Sequence, residues 1–237
     1  MKPVVVAAST IQELSLLVRA ACARQRGAGS GVYDARIGGR EIILAVTGMG
    51  KVNAASTITA LLECTPPQLL VNTGCCGAYR GSGLEPGDLA VATAEIFADE
   101  GVLTPAGWRP LEFIGIPFLE HGGKPLFNEF PLSAQAAEKA VHLADSLGIS
   151  MRSGRFLTVS TCSGTSARGD ELCRRFGGIC ENMEGAAAAQ VALRYGVDCL
   201  EIRGISNMVE DRDLSRWDIP RAVEAAQSFV LKYIEEL

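Results

Sequence analysis

Short apolar runs alternate with amphipathic stretches along the chain. Val4–Ala8 and residues 41–46, 68–72, 88–97, 156–160, 179–181 and 199–205 have strand character, while residues 11–23, 52–63, 133–147, 185–194 and 219–236 carry the helix period. This alternation predicts an α/β fold with a largely parallel sheet covered by helices on both faces. No linker, repeat or composition shift divides residues 1–237, which predicts one domain. The one long stretch without a period is 99–131, rich in glycine, proline and aromatics, among them Trp108, Phe113, Phe118, Phe127 and Phe130. It is too long for a connector, and its aromatics fit either a satellite core or a lid over an apolar ligand.

Composition narrows the function classes. Hydrophobic residues at 48% and charged residues at 21% exclude a mainly disordered chain. A net charge of −5 leaves no electropositive footprint, so nucleic acid is not an expected partner. No apolar run reaches the roughly 18–20 residues that span a bilayer, so neither is a membrane. The chain has eight cysteines. Its opening MKPVVVAAST lacks the charged and apolar regions of an export signal, so the expectation is reduced thiols in the cytoplasm.

In α/β sheets ligands bind outside the carboxyl ends of strands, which directs attention to residues 8–10, 47–53, 73–79, 160–165, 181–185 and 206–213. The turn Thr47-Gly-Met-Gly-Lys-Val-Asn53 imitates a dinucleotide-binding loop, but Asn53 stands where the third glycine belongs and no acidic residue follows at the ribose position. It fits a tight turn or close approach to a small ligand. Asn72-Thr-Gly-Cys-Cys-Gly-Ala78 is a second exit of small residues, which permits backbone contact with a flat or sugar-like ligand. With no C-x-x-C spacing and only His121 and His142, neither a metal site nor a serine triad is supported.

Three carboxylate or amide positions stand out. Thr10 and Glu13 match a capping box, and Glu13 is equally a candidate general base aimed at a water. Glu184 opens an alanine-rich helix with no long cation nearby in sequence; its two oxygens suit either the helix dipole or the vicinal hydroxyls of a ribose. Asn207 ends a strand, where it is either a turn former or a group that both donates to and accepts from a heterocycle edge.

The motifs Thr47-Gly-Met-Gly-Lys-Val-Asn-Ala-Ala55, Asn72-Thr-Gly-Cys-Cys-Gly77, Asn182-Met-Glu-Gly-Ala186 and Arg203-Gly-Ile-Ser-Asn207 resemble, in order and spacing, those of the purine nucleoside phosphorylase and nucleosidase superfamily. The segment Ile205-Ser-Asn-Met-Val-Glu-Asp-Arg-Asp213 is most similar to the futalosine hydrolase family, nucleosidases of the alternative menaquinone pathway. The resemblance implies one three-layer α/β/α domain with a mixed, mostly parallel sheet, assembled as a homo-oligomer and cleaving the N-glycosidic bond of a purine nucleoside without cofactor or metal. Carried over by motif, Glu13 activates the water, Glu184 holds the ribose hydroxyls and Met183 packs on the sugar. Met49, Cys75, Cys76 and Gly77 line sugar and base, while Thr161, Cys162, Ser163 and Gly164 flank the purine.

The chemistry agrees with these residue types. Glycosidic cleavage develops positive charge on the sugar, which preorganised carboxylates stabilise. Adenine nucleosidases place an Asp at the Asn207 position; an amide instead donates to O6 of a 6-oxopurine, which implies release of hypoxanthine from futalosine. Phosphorylases of the bacterial hexameric type carry an Arg where this chain has Asn72, so water is the expected nucleophile rather than phosphate. The aromatic carboxylate at the 5′ side of futalosine calls for an apolar wall and a cation, for which 99–131 offers Trp108 with Arg109 or Lys124. The competing classes are a phosphorylase, a methylthioadenosine/adenosylhomocysteine nucleosidase, a binding protein that has lost its catalytic groups, and a dinucleotide-dependent oxidoreductase.

Overall fold

The computed structural model describes residues 2–237. The first half contains β1 (Val4–Ala8), α1 (Ser15–Ala20), β2 (Arg24–Gln25), β3 (Val32–Ile37), β4 (Arg40–Val46), α2 (Lys51–Cys64), β5 (Leu69–Ala78) and β6 (Leu89–Phe97). Five short strands and a helix follow: β7 (Val102–Thr104), β8 (Gly107–Arg109), β9 (Leu119–His121), β10 (Lys124–Leu126), edge strand β11 (Glu129–Pro131) and α3 (Ala134–Ser146). The chain closes with β12 (Met151–Thr158), α4 (Ser166–Phe176), β13 (Gly178–Asn182), α5 (Gly185–Tyr195), β14 (Cys199–Met208) and α6 (Ile219–Glu235).

The sheet is mixed, as expected, but it is not a simple open layer. β14 pairs in parallel with β5 and antiparallel with β6, while β12 joins β6 to β13 and β13 returns to β5. Five strands therefore close into a ring, and β1, β4, β3 and β2 extend from β5 as an open wing. Closure depends on length: the small-residue exit after Asn72, read as a strand end at 72, continues as strand to Ala78, and β14 runs ten residues beside it. Register shifts at Gly154/Arg155, Arg155/Phe156 and between Ile205 and Asn207 add the local twist that a closed ring requires.

Helices pack on both sides of this sheet. α2 and α5 share one apolar cluster, where Ala186, Ala187, Ala188 and Ala189 bring α5 close to the strands. α1, α3 and α6 share a second, with Leu17, Ala140 and Phe229 against Val4, Val6 and Leu44. Among the described residues no helix is long and apolar enough to cross a membrane.

β3 and α4 are among the elements that escape the periodicity. β3 and β4 form a hairpin around Gly38 and Gly39, whose φ values of 57° and 81° are those a two-residue turn requires. α4 is a polar helix with few buried positions, Gly169 and Leu172, capped by the Thr165 hydroxyl accepting from Arg168 N and ended by Gly177. α1 is shorter than its pattern, because the Thr10–Glu13 turn precedes it.

Residues 99–131 resolve into two hairpins and β11. Phe118 and Phe130 meet Phe97 edge-on at 5.4 and 5.5 Å, and Trp108 meets Phe176 in the same way at 5.4 Å. The stretch is thus a satellite of the core, the first of its two readings.

Candidate active site

β5 is the spine of a cavity of about 240 Å³. At Gly74 a Cβ would strike Glu13 Oε1 and Arg203 Nη1, so only glycine lets both side chains meet over the strand. Glu13 arrives from the turn after β1. Its Oε2 accepts from Ser9 Oγ (2.6 Å), Thr10 N (3.0 Å) and Thr10 Oγ1 (2.9 Å), while Oε1 accepts from Cys75 N (3.0 Å). Thr10 Oγ1 in turn accepts from Glu13 N at 3.4 Å, so the reciprocal capping pair and the cavity carboxylate are the same group.

Arg203 is the residue that sequence reasoning left without a role. It sits mid-strand in β14 opposite Gly74 and is 1% exposed. Nε donates to Glu201 Oε1 at 2.8 Å, Nη1 to the Cys75 carbonyl at 3.4 Å, and Nη2 lies 3.7 Å from Glu184 Oε2. Burial opposes its charge, but Glu201, Glu184 and Glu13 outweigh burial and hold it cationic. The signal was available: an arginine inside an apolar strand must have buried partners.

Glu184 stands at the mouth of α5. Its Oε1 accepts from Gly50 N at 2.8 Å, an amide presented by the Gly48–Gly50 turn, where φ is 87° and 92°. Burial pushes the Glu184 carboxyl upward against the pull of Arg203 and the Gly50 amide. The Cys75 thiol is pushed up to about 12 by burial and by Glu13, so it is a neutral wall and not a nucleophile.

Three residues further along β5 the polar groups change. Gly77 pairs with Glu181 of β13 on one side and with Asn207 of β14 on the other. A Cβ at 77 would touch Asn207 Nδ2 at 3.2 Å, so glycine leaves room for that amide. Asn207 Oδ1 accepts from Ser206 Oγ (2.8 Å) and its Nδ2 donates to Met208 O (3.0 Å). Glu181 accepts from Ser163 N and Ser163 Oγ, both at 2.7 Å, and from Tyr79 OH at 2.9 Å, fixing a carboxylate in the wall.

The cavity is lined by Glu13, Met49, Cys75, Cys76, Gly77, Cys162, Ser163, Met183, Glu184 and Asn207, so these ten expected residues come together. Thr161 and Gly164 lie in the same turn as Cys162 and Ser163 but do not line it. Trp108, Arg109 and Lys124 do not line it either. An aromatic and a cation are supplied instead by Trp217 and Arg212, the guanidinium 4.8 Å from the ring centre.

The family model of the phosphorylase superfamily matches residues 3–235. The chain is 36% identical to a futalosine hydrolase of Thermus thermophilus over 190 residues, 80% of each chain. It is 32% identical to a 5′-methylthioadenosine/S-adenosylhomocysteine nucleosidase of Halalkalibacterium halodurans, over 79% of this chain and 76% of the relative. Its fold matches that of a nucleosidase of the latter name from Neisseria meningitidis, solved with methylthio-immucillin-A, at a TM-score of 0.86 and 23% identity over the full length of both. On a family match that leaves only the ends of the chain uncovered, this protein belongs to the phosphorylase superfamily.

Proposed function

We propose that this protein is a nucleosidase that hydrolyses the N-glycosidic bond of futalosine, releasing hypoxanthine and dehypoxanthine futalosine. The observation that carries the reading is the division of labour along β5. Glu13, Glu184 and Arg203 gather at Gly74 and Cys75, and Asn207 and Glu181 at Gly77. At the strand rise the two groups lie roughly 7–10 Å apart, the spacing of a sugar and the far edge of a purine bound to it.

At the sugar end, Glu184 takes the ribose hydroxyls and its charge stabilises the oxocarbenium-like sugar as the bond lengthens. Glu13, held by four donors, accepts a proton from the attacking water. Met49 and Met183 wall the sugar, and Cys75, Cys76 and Gly77 give the base a thin surface. At the base end a 6-oxopurine offers an acceptor at O6 and a donor at N1. Asn207 donates to the first and the Glu181 carboxylate accepts from the second, and the Thr161–Gly164 turn flanks the ring. The base leaves with the electrons of the broken bond and takes its proton from water, while Glu13 passes on to solvent the proton it took from the attacking water, so the reaction as proposed asks for no metal or organic cofactor.

Water is favoured over phosphate because the cavity lining has two arginines and Arg203 is committed to Glu201 and to Glu184. Arg212 remains, and it serves the 5′ carboxylate of futalosine with Trp217 against the aromatic ring. Its acidic neighbours are engaged elsewhere: Asp211 with Ser166 N, Glu210 with Arg216 and Asp213 with Ser215. We also read the protein as a cytoplasmic homo-oligomer whose single domain is layered helix, sheet, helix.

The deciding experiment is base release, by chromatography, from futalosine, aminofutalosine, methylthioadenosine and inosine, each with and without phosphate. Hypoxanthine from futalosine, independent of phosphate, is expected. Adenine as the preferred product moves the protein to the methylthioadenosine nucleosidases, and dependence on phosphate moves it to the phosphorylases.

A further inference from the structure

Beneath the cavity lies a second pair of carboxylates that the hydrolysis itself does not use. Glu95 of β6 and Glu201 of β14 are both fully buried, at 0% exposure. One Cβ placed on Gly185 would strike Glu95 Oε1 and Glu201 Oε2 together, so those two oxygens are close neighbours. Glu201 Oε1 accepts from Arg203 Nε, but Oε2 has no donor. Glu95 Oε1 accepts from Asn182 Nδ2 at 2.5 Å and Oε2 from Thr158 Oγ1 at 2.8 Å.

Two bare carboxylates held this close in a dry interior repel, and an acceptor without a donor carries its full desolvation cost. One proton removes both problems. Burial, and after it the charge of Glu201, push the Glu95 carboxyl well above the usual range against the pull of Thr158, Asn182 and Arg203. The other titratable neighbours add no compensating charge: burial keeps the Cys180 thiol on β13 and the Cys199 thiol on β14 protonated. α5 offers only Glu184 at its mouth, itself facing Arg203.

We propose that Glu95 is a carboxylic acid in the working protein and donates its proton from Oε1 to Glu201 Oε2, and that this shared proton fixes Arg203 and the start of α5 beneath the cavity. Two connections transmit the effect. The singly charged pair anchors Arg203 Nε, leaving Nη1 and Nη2 for the Cys75 carbonyl and Glu184. Asn182, which donates to Glu95, accepts through Oδ1 from Glu184 N (3.0 Å) and Gly185 N (2.7 Å), while Thr158 Oγ1 accepts from Ala186 N (2.7 Å). Glu95 is thus a positioning residue for Glu184. The kinetic part of this inference rests on the nucleosidase reading; the protonation state does not.

The test is infrared spectroscopy of the wild-type protein in heavy water from about pH 5 to pH 8, a window in which an ordinary carboxyl is ionised. A protonated-carboxyl band that persists to the top of this range and disappears in Glu95→Gln is expected; its absence from the wild type overturns the proposal. Kinetics provide the second readout. Glu95→Gln keeps a neutral donor in place and should hold kcat within about threefold. Glu95→Leu strands Glu201 and should lower kcat at least roughly tenfold with KM little changed. Equal losses in both would mean that Glu95 works as an anion, and the proposal fails. If neither variant folds, the wild-type titration still decides. If the band is present but no nucleoside is cleaved, the functional reading fails and the shared proton stands.

Discussion

Glu181 and Asn207 flank the same residue, Gly77, as its register partners in β13 and in β14. On the proposed reading, this places a fixed acceptor and an amide donor at neighbouring positions, N1 and O6, of one edge of a flat base. Asn207→Asp replaces the donor toward O6 with a group that, protonated, donates to N7 and accepts from a 6-amino group. Hypoxanthine release from futalosine should fall roughly 100-fold while adenine release from aminofutalosine rises. The ratio of the two bases, measured by chromatography, checks this; a parallel loss of both would reduce Asn207 to a structural role.

Glu184 should act as an anion. Glu184→Gln retains the Gly50 amide contact and loses the charge, so kcat should drop by about 10²–10³ with a modest change in KM. The raised Glu184 carboxyl also sets a pH limb: kcat/KM should fall as the pH drops through a value above the ordinary glutamate range near 4.3. Stability runs the other way. With the folded-state carboxyl raised, the native protein binds more protons than the unfolded chain in that window, so this group lowers stability as pH increases through it. Glu184→Gln should flatten both slopes, seen by rate profiles and by melting temperature against pH.

Arg212 should discriminate by charge at the 5′ side. Arg212→Gln should raise KM for futalosine about tenfold and leave KM for methylthioadenosine, which has no carboxylate, within about twofold. Added salt should raise KM for futalosine in the wild type and have little effect in the variant. Equal increases for both substrates would place the 5′ carboxylate elsewhere.

Much of this site was legible because its motifs are local. Gly48 and Gly50, Gly74 and Gly77, and Gly185 each mark a place where backbone or side chains approach too closely for a Cβ or where φ is positive, and such constraints show in a single chain. The ring closure was not, because it depends on β14 pairing with both β5 and β6, a relation among distant segments. α4 was hidden by its polar sequence, and Arg212 and Trp217 by a loop after β14 whose charges look like ordinary solvated surface. Trp108, attractive by composition, packs against Phe176 and Arg175 rather than at the cavity, and Arg109 is not part of the lining.

The two glycines bounding α5 separate catalysis from stability. Gly196 ends the helix at a φ of 62° with nothing near its missing Cβ, so Gly196→Ala introduces only backbone strain. It should cost about 1 kcal/mol, lower the melting temperature by roughly 2–4 °C and leave the rate per folded molecule unchanged. Gly185 opens the same helix, and there an added Cβ must displace Glu95 and Glu201 together. Both are held from several sides, by Thr158, Asn182 and Arg203, so neither yields cheaply. Gly185→Ala should therefore cost about 3 kcal/mol or more and also reduce kcat at least tenfold in the molecules that remain folded, because Arg203 and Glu184 shift with the displaced pair. Calorimetry and active-site-normalised rates on the two variants test this directly. Full activity in folded Gly185→Ala would show that the buried carboxylates are not coupled to the cavity.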